Sequence, residues 1–144
     1  MTMYWILVAN ASGAKIYATA KLHDEWQLVK ELTHDASREK DMELVSGKLG
    51  NFPNVSRGSS SFVEPTDPKV FEEERFAHQL AEELNAGRTH NQYHKLILVA
   101  APQFYGMLNK HCNPHVLALV TKNVEKDYAQ FSEFEMLKHL REHL

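Results

Sequence analysis

The sequence predicts an α/β fold on a mixed five-stranded sheet, in the element order β-β-β-loop-α-β-α-β-α. Two observations predict it. Three runs, Tyr4–Ala9, Leu96–Ala100 and Val116–Val120, are apolar without polar alternation, as strands covered on both faces are. The second half of the chain alternates helical with strand patterns, which implies parallel pairing through crossover helices.

The first strand is expected at 3–10. Asn10-Ala11-Ser12-Gly13 has the chemistry of a hairpin turn. A second strand follows at 14–20, with Ile16 and Ala18 on one face. His23-Asp24 marks another turn, and a third strand spans 26–34. Strict alternation there places Trp26, Leu28, Lys30 and Leu32 on one face, opposite Gln27, Val29 and Glu31. These strands form an antiparallel meander with the first one most buried. His34 to Val45 is charged, with room for a short helical turn.

Asp67-Pro68 reads as an N-cap followed by proline in the first turn. Phe76, Ala77, Leu80, Ala81 and Leu84 trace one helical stripe, with Glu72, Glu73, Glu82 and Glu83 on the opposite, solvated face. Gly87 is the expected stop. A strand at 95–101 follows, and Pro102 opens a short helix through Leu108 or Lys110. The fifth strand is expected at 116–122. A last amphipathic helix begins at Ser132 or Glu133, with Phe134, Leu137 and Leu140 at helical spacing. Residues 1–144 read as one domain, long enough to bury about 70% of the unfolded surface.

The stretch Gly47 to Pro68 interrupts this pattern. It is rich in glycine, serine and proline, carries Lys48 and Arg57, and has no acid before Glu64. Compact domains seldom hold structureless connections beyond about 12–15 residues unless these are functional or disordered. Arg57 with Gly58-Ser59-Ser60-Ser61 offers a cation and backbone N–H groups to a phosphate. Phe52, Phe62 and Val63 either anchor the loop or meet a partner.

The formal charge of −3 excludes a general nucleic-acid coat but not a local basic loop. With Cys112 as the one cysteine, no internal disulfide forms, which favours a reducing, cytoplasmic setting. Tyr4–Ala9 is too short to span a membrane, and no basic region precedes it as in a signal peptide.

Other groupings have simpler readings. His111, Cys112 and His115 around Pro114 cluster potential metal ligands but read better as a helix-to-strand turn, and His139 and His143, four apart, read as a solvated helix end and not a metal site. No metal and no cofactor is assigned. Ser56, Ser59, Ser60 or Ser61 with a base such as His34 or His78 would make a nucleophile pair, but no Gly-x-Ser-x-Gly elbow supports it. No Gly-x-Gly-x-x-Gly or Gly-x-x-x-x-Gly-Lys-Ser/Thr is present, and no catalytic residue is assigned.

The order of several short strings is more specific than any one of them. Trp5 to Tyr17 comes first, then Leu32-Thr33-His34 with Asp35 to Arg38, then the Gly/Ser/Arg loop. Asp67-Pro68 leads into Glu74-Arg75-Phe76-Ala77, Leu80-Ala81 and Leu84. Leu96 to Pro102, Phe104-Tyr105-Gly106, Leu108 and Lys126-Asp127-Tyr128 complete the series. In this the chain resembles the bacterial host attachment family, the "protein required for attachment to host cells". That family is similar in fold to the middle domain of archaeal and eukaryotic class-1 peptide release factors. The resemblance implies an RNase H-like sheet of the translational-machinery type, with the loop in the place of the release factors' Gly-Gly-Gln loop. Here Gly58-Ser59-Ser60 is the nearest string, so the water-positioning glutamine is missing.

The resulting expectation is a cytoplasmic, translation-associated factor without peptidyl-tRNA hydrolase activity. Its partner would be the ribosome or tRNA, with no membrane contact and the oligomeric state open. The expected contacts are Arg38, Lys40, Lys48, Phe52, Ser56, Arg57, Gly58, Ser59, Ser60 and Phe62. Attachment to host cells, direct or indirect, is the alternative, and a loop-serine hydrolase is the third reading.

Overall fold

A computed structural model describes residues 2–34 and 67–144. Five strands form one sheet: β1 (Tyr4–Asn10), β2 (Gly13–Thr19), β3 (Gln27–Thr33), β4 (Lys95–Ala100) and β5 (Val120–Glu125). Four helices are described: α1 (Pro68–Thr89), α2 (Pro102–His111), α3 (Pro114–Leu117) and α4 (Glu133–His143). The sheet order is β3-β2-β1-β4-β5. β1 and β2, and β2 and β3, pair antiparallel, while β4 is parallel to both β1 and β5.

β1 from Tyr4 to Ala9 and β4 from Leu96 to Ala100 are apolar because they lie between two helical layers. Trp5, Leu7, Leu96 and Leu98 face α1, α2 and α3. Ile6, Ile97 and Val99 face α4. In the β1–β2 turn, Asn10 Oδ1 accepts the N–H groups of Ser12 and Gly13, at 2.8 and 3.1 Å.

The expected strand at 116–122 is corrected. Asn113 Oδ1 accepts the Val116 N–H at 2.9 Å, and Pro114 sits in the first turn. That N-cap and proline pair starts a helical turn. Val116 therefore enters the core from α3, not from a strand. The strand starts later, at Val120, and forms a largely exposed sheet edge instead of a buried centre.

β3 departs from strict alternation. Ile16 pairs with Lys30 but Tyr17 pairs with Leu28, so Val29 is an extra, bulged residue. The bulge reverses the facing of everything on one side of it. Leu32 joins the core under α1, whereas Trp26 joins the opposite one beside Tyr17. The expectation that they share a face fails for this reason.

α1 opens as its sequence predicts, with Asp67 Oδ1 accepting the Lys69 N–H at 2.9 Å. The expected stripe is buried. Gly87 does not end the helix. It lies inside it, under the Trp5 ring, where a Cβ would come within 2.5 Å of the ring. The stop is Asn91, at φ 55°. Gln92 N–H donates to Gly87 O at 2.8 Å and Asn91 N–H to Arg88 O at 3.0 Å, the two bonds of a Schellman ending. Glu72, expected on the solvated face, is only 4% exposed. It sits at the margin of the apolar stripe, and Arg75 Nη1 reaches its carboxylate at 3.3 Å.

α4 begins at a capping box between Ser132 and Glu135. Its buried residues are Met136 and Leu140, with Leu137 partly covered. Phe134, at helical spacing with Leu137 and Leu140, is nevertheless 75% exposed, because about 100° per residue carries it off the Met136–Leu140 stripe.

Candidate functional site

A groove of about 790 Å³ runs along the outer side of α1. The chain leaves the described structure at His34 and re-enters it at Asp67. His34, Val70 and Phe71 line the groove there, and Glu74, Arg75, His78, Glu82 and His111 line its length. Phe71 is 53% exposed.

His34 is positioned by its own N–H, which donates to Ser12 O at 2.9 Å. Its ring stacks on Phe76, with centroids 4.6 Å apart and planes 14° apart. Among the described residues its buried Nε2 has no hydrogen-bond partner. Farther along, His111 Nε2 lies 2.8 Å from Glu74 Oε2, and Lys110 Nζ lies 3.4 Å from Glu74 Oε1. The His111 hydrogen bond, helped by Lys110, holds the Glu74 carboxyl below its ordinary value. His78 approaches the same place, its ring 5.4 Å from that of His111 and its Nε2 3.6 Å from Glu82 Oε1.

A second polar cluster ties the sheet to α4. Lys15 Nζ and the Tyr17 hydroxyl both reach Glu133 Oε2, at 2.9 and 2.7 Å. The Lys15 and Tyr17 hydrogen bonds lower the Glu133 carboxyl. Burial, then Glu133, raises the Tyr17 hydroxyl. Cys112 is buried at the end of α2, and burial pushes its thiol up to about 11, away from thiolate chemistry. His139 is no free helix end, since its Nδ1 meets the Tyr128 hydroxyl at 2.6 Å.

The expected contact residues Arg38, Lys40, Lys48, Phe52, Ser56, Arg57, Gly58, Ser59, Ser60 and Phe62 all lie outside the described residues, as do the four candidate serines. The two histidines named as possible bases, His34 and His78, both line the groove. The Glu74–His111–His78 cluster went unread. Its helical half was legible as Glu74, His78 and Glu82, spaced four apart. His111 stands out in sequence only beside Cys112 and His115, and nothing local joins it to Glu74 or His78.

The family model for the "protein required for attachment to host cells" matches residues 5–140. The chain belongs to the host attachment family. This membership spans the sheet, all four helices' cores and the groove, so the site lies within the family unit and not on an appendage. No curated protein matches this family member. Among the described residues, no helix is long and apolar enough to cross a membrane.

Proposed function

We propose that the protein serves attachment to host cells as a binding factor, holding a protein partner against the groove along α1. Membership of the host attachment family over residues 5–140 carries this reading. The groove supports it. Exposed Phe71 offers an apolar anchor, and Glu74, Arg75 and Glu82 offer a charged rim, the division of labour of a protein interface. The test is adherence of a strain lacking the gene. Adherence falls, wild-type protein restores it, and a folded Phe71→Ser, Arg75→Glu double variant does not. Undiminished adherence of the deletion strain overturns the reading, and full rescue by the double variant removes the groove from it.

A second reading is favoured by the strand order β3-β2-β1-β4-β5 with β2 as the antiparallel member. That order supports an RNase H-like sheet similar to the release-factor middle domain. On that resemblance, residues 47–63, which follow β3 and precede α1 in sequence, correspond to the release factors' functional loop. On this reading the protein is a cytoplasmic factor touching ribosomal RNA or tRNA through Arg38, Lys40, Lys48 and Arg57, without peptidyl-tRNA hydrolysis. Ribosome co-sedimentation tests it. Binding should weaken with salt, by roughly 0.7–0.9 in log K per tenfold salt for each phosphate neutralised, and with Arg57→Ala. Absence from the ribosomal fractions at low salt overturns it.

A further inference from the structure

We propose that the outer face of α1 pairs with the same face of a second copy of this chain, as two antiparallel helices about a two-fold axis. The proposal goes beyond the attachment reading and does not depend on it. The groove beside His34 continues past His78, Glu82 and His111 into a smaller hollow of about 380 Å³ near Ala86 and Thr89. Together the two run along α1 from Val70 to Thr89, about 28 Å of helix at 1.5 Å per residue.

Spacing defines the face. Phe71, Arg75, His78, Gln79, Glu82 and Ala86 are all exposed. At about 100° per residue they lie within about 50° of one line down the helix, opposite the buried stripe. That line is self-complementary about the midpoint between His78 and Gln79. Arg75 stands as far before the midpoint as Glu82 stands after it, and Phe71 as far before as Ala86 after. An isologous contact needs a patch of this kind, because its two-fold axis makes every contact twice. In an antiparallel pair centred there, Arg75 comes level with Glu82 of the second copy, and Phe71 with Ala86 of the second copy.

Both charges are available where they stand. The Arg75 and Glu82 side chains are 62% and 71% exposed. Arg75 Nη1 bonds Glu72 at 3.3 Å, which leaves other N–H groups of the guanidinium fork for a second carboxylate. Among the described residues Glu82 has no hydrogen bond, since His78 Nε2 stands 3.6 Å from its Oε1. The register also brings Glu74 level with Glu83 of the second copy, but both lie on the flanks of the face. Each is engaged within its own chain, Glu74 by Lys110 and His111 and Glu83 by Lys30. Phe71 supplies apolar area, and Ala86 is a small residue that lets two helices come close. One helix pair is small beside the about 800 Å² per partner of a standard interface, so the dimer is weak and concentration-dependent. A second copy seated here covers the groove, so self-association and a partner in that groove exclude each other.

The test is sedimentation velocity on the full chain from micromolar to near-millimolar concentration, with folding followed by circular dichroism. Wild type passes from monomer to dimer as concentration rises. Arg75→Glu and Glu82→Arg each weaken the dimer by about tenfold or more, because like charges then meet across the axis. The two combined in one chain restore it, because the swapped pair is again of opposite sign. Phe71→Ser weakens the dimer, and Phe134→Ser, exposed on α4, leaves it unchanged. Should Arg75→Glu impair folding beside buried Glu72, Glu82→Arg and Phe71→Ser decide on their own. A chain monomeric throughout, a dimer indifferent to Glu82→Arg and Phe71→Ser, or a folded combined variant that stays monomeric overturns the proposal. The readout is mass in solution, so it holds or fails apart from the adherence assay.

Discussion

Gly87 and Tyr93 show how much rests on two residues under Trp5. The Trp5 and Tyr93 rings stack with centroids 4.7 Å apart, and Gly87 passes beneath them. A Cβ added at Gly87 would fall 2.5 Å from Trp5, and ring, helix or sheet must then move. Gly87→Ala should destabilise the fold by about 1–3 kcal/mol, read from urea unfolding, although alanine is the better helix former. Tyr93 donates its buried hydroxyl to Leu84 O at 2.7 Å. Burial raises that hydroxyl from 10.0 to about 12. Its folded-state value is the higher one, so this stabilisation is complete below pH 10 and is lost as pH rises toward 12. Tyr93→Phe should cost about 1 kcal/mol at neutral pH. The gap from wild type should narrow in urea titrations above pH 10, where only the wild type must ionise or strain.

At the scale of elements, the β3 bulge determines which core each end of that strand serves. Val29 is half exposed and touches little of the core, so Val29→Ser should change stability by less than about 0.5 kcal/mol. Deleting Val29 is a different change. It restores strict alternation and turns either Trp26 or Leu32 out of its core. Loss of one such side chain costs about 1.5–3 kcal/mol, so the deletion should far exceed the substitution in the same urea assay. Equal effects would show that the strand slips without consequence. The helices behave otherwise. The Asp67-Pro68 start of α1 and the Ser132 start of α4 are local devices, and both were legible in the sequence. The end of α1 was not, because Asn91 takes the left-handed position that Gly87 was expected to fill.

For the molecule as a whole, the helical layers are held to the sheet unequally. α1 buries a full stripe, whereas α4 buries Met136 and Leu140 and adds the Glu133 tie to Lys15 and Tyr17. Those bonds depress the Glu133 carboxyl below its ordinary 4.5. A depressed folded-state value means stability that is present above pH 4.5 and is lost as pH falls through the folded value. Glu133→Gln should therefore flatten part of the acid limb of a stability–pH curve. The effect should be modest, because the side chain is half exposed and solvent screens it. An unchanged acid limb would remove this tie from the account of how α4 is held.

By itself the sequence determined the α/β class, four of the five strands, the start of each long helix and the apolar stripe of α1. These are local properties, since a period of 2 or 3.6, a capping side chain or a proline acts within a few residues. Only the tertiary structure decided the facing of Trp26 against Leu32, the edge position of β5, the glycine beneath Trp5 and the meeting of His78 with His111. Each depends on which residue stands opposite across a strand pair or a helix contact, and no residue's own neighbours encode its partner. Val116–Val120 shows the boundary. The same apolar run satisfies a buried strand or a helical turn, and the Asn113 cap, together with the space beneath α1 for Val116, selects the turn.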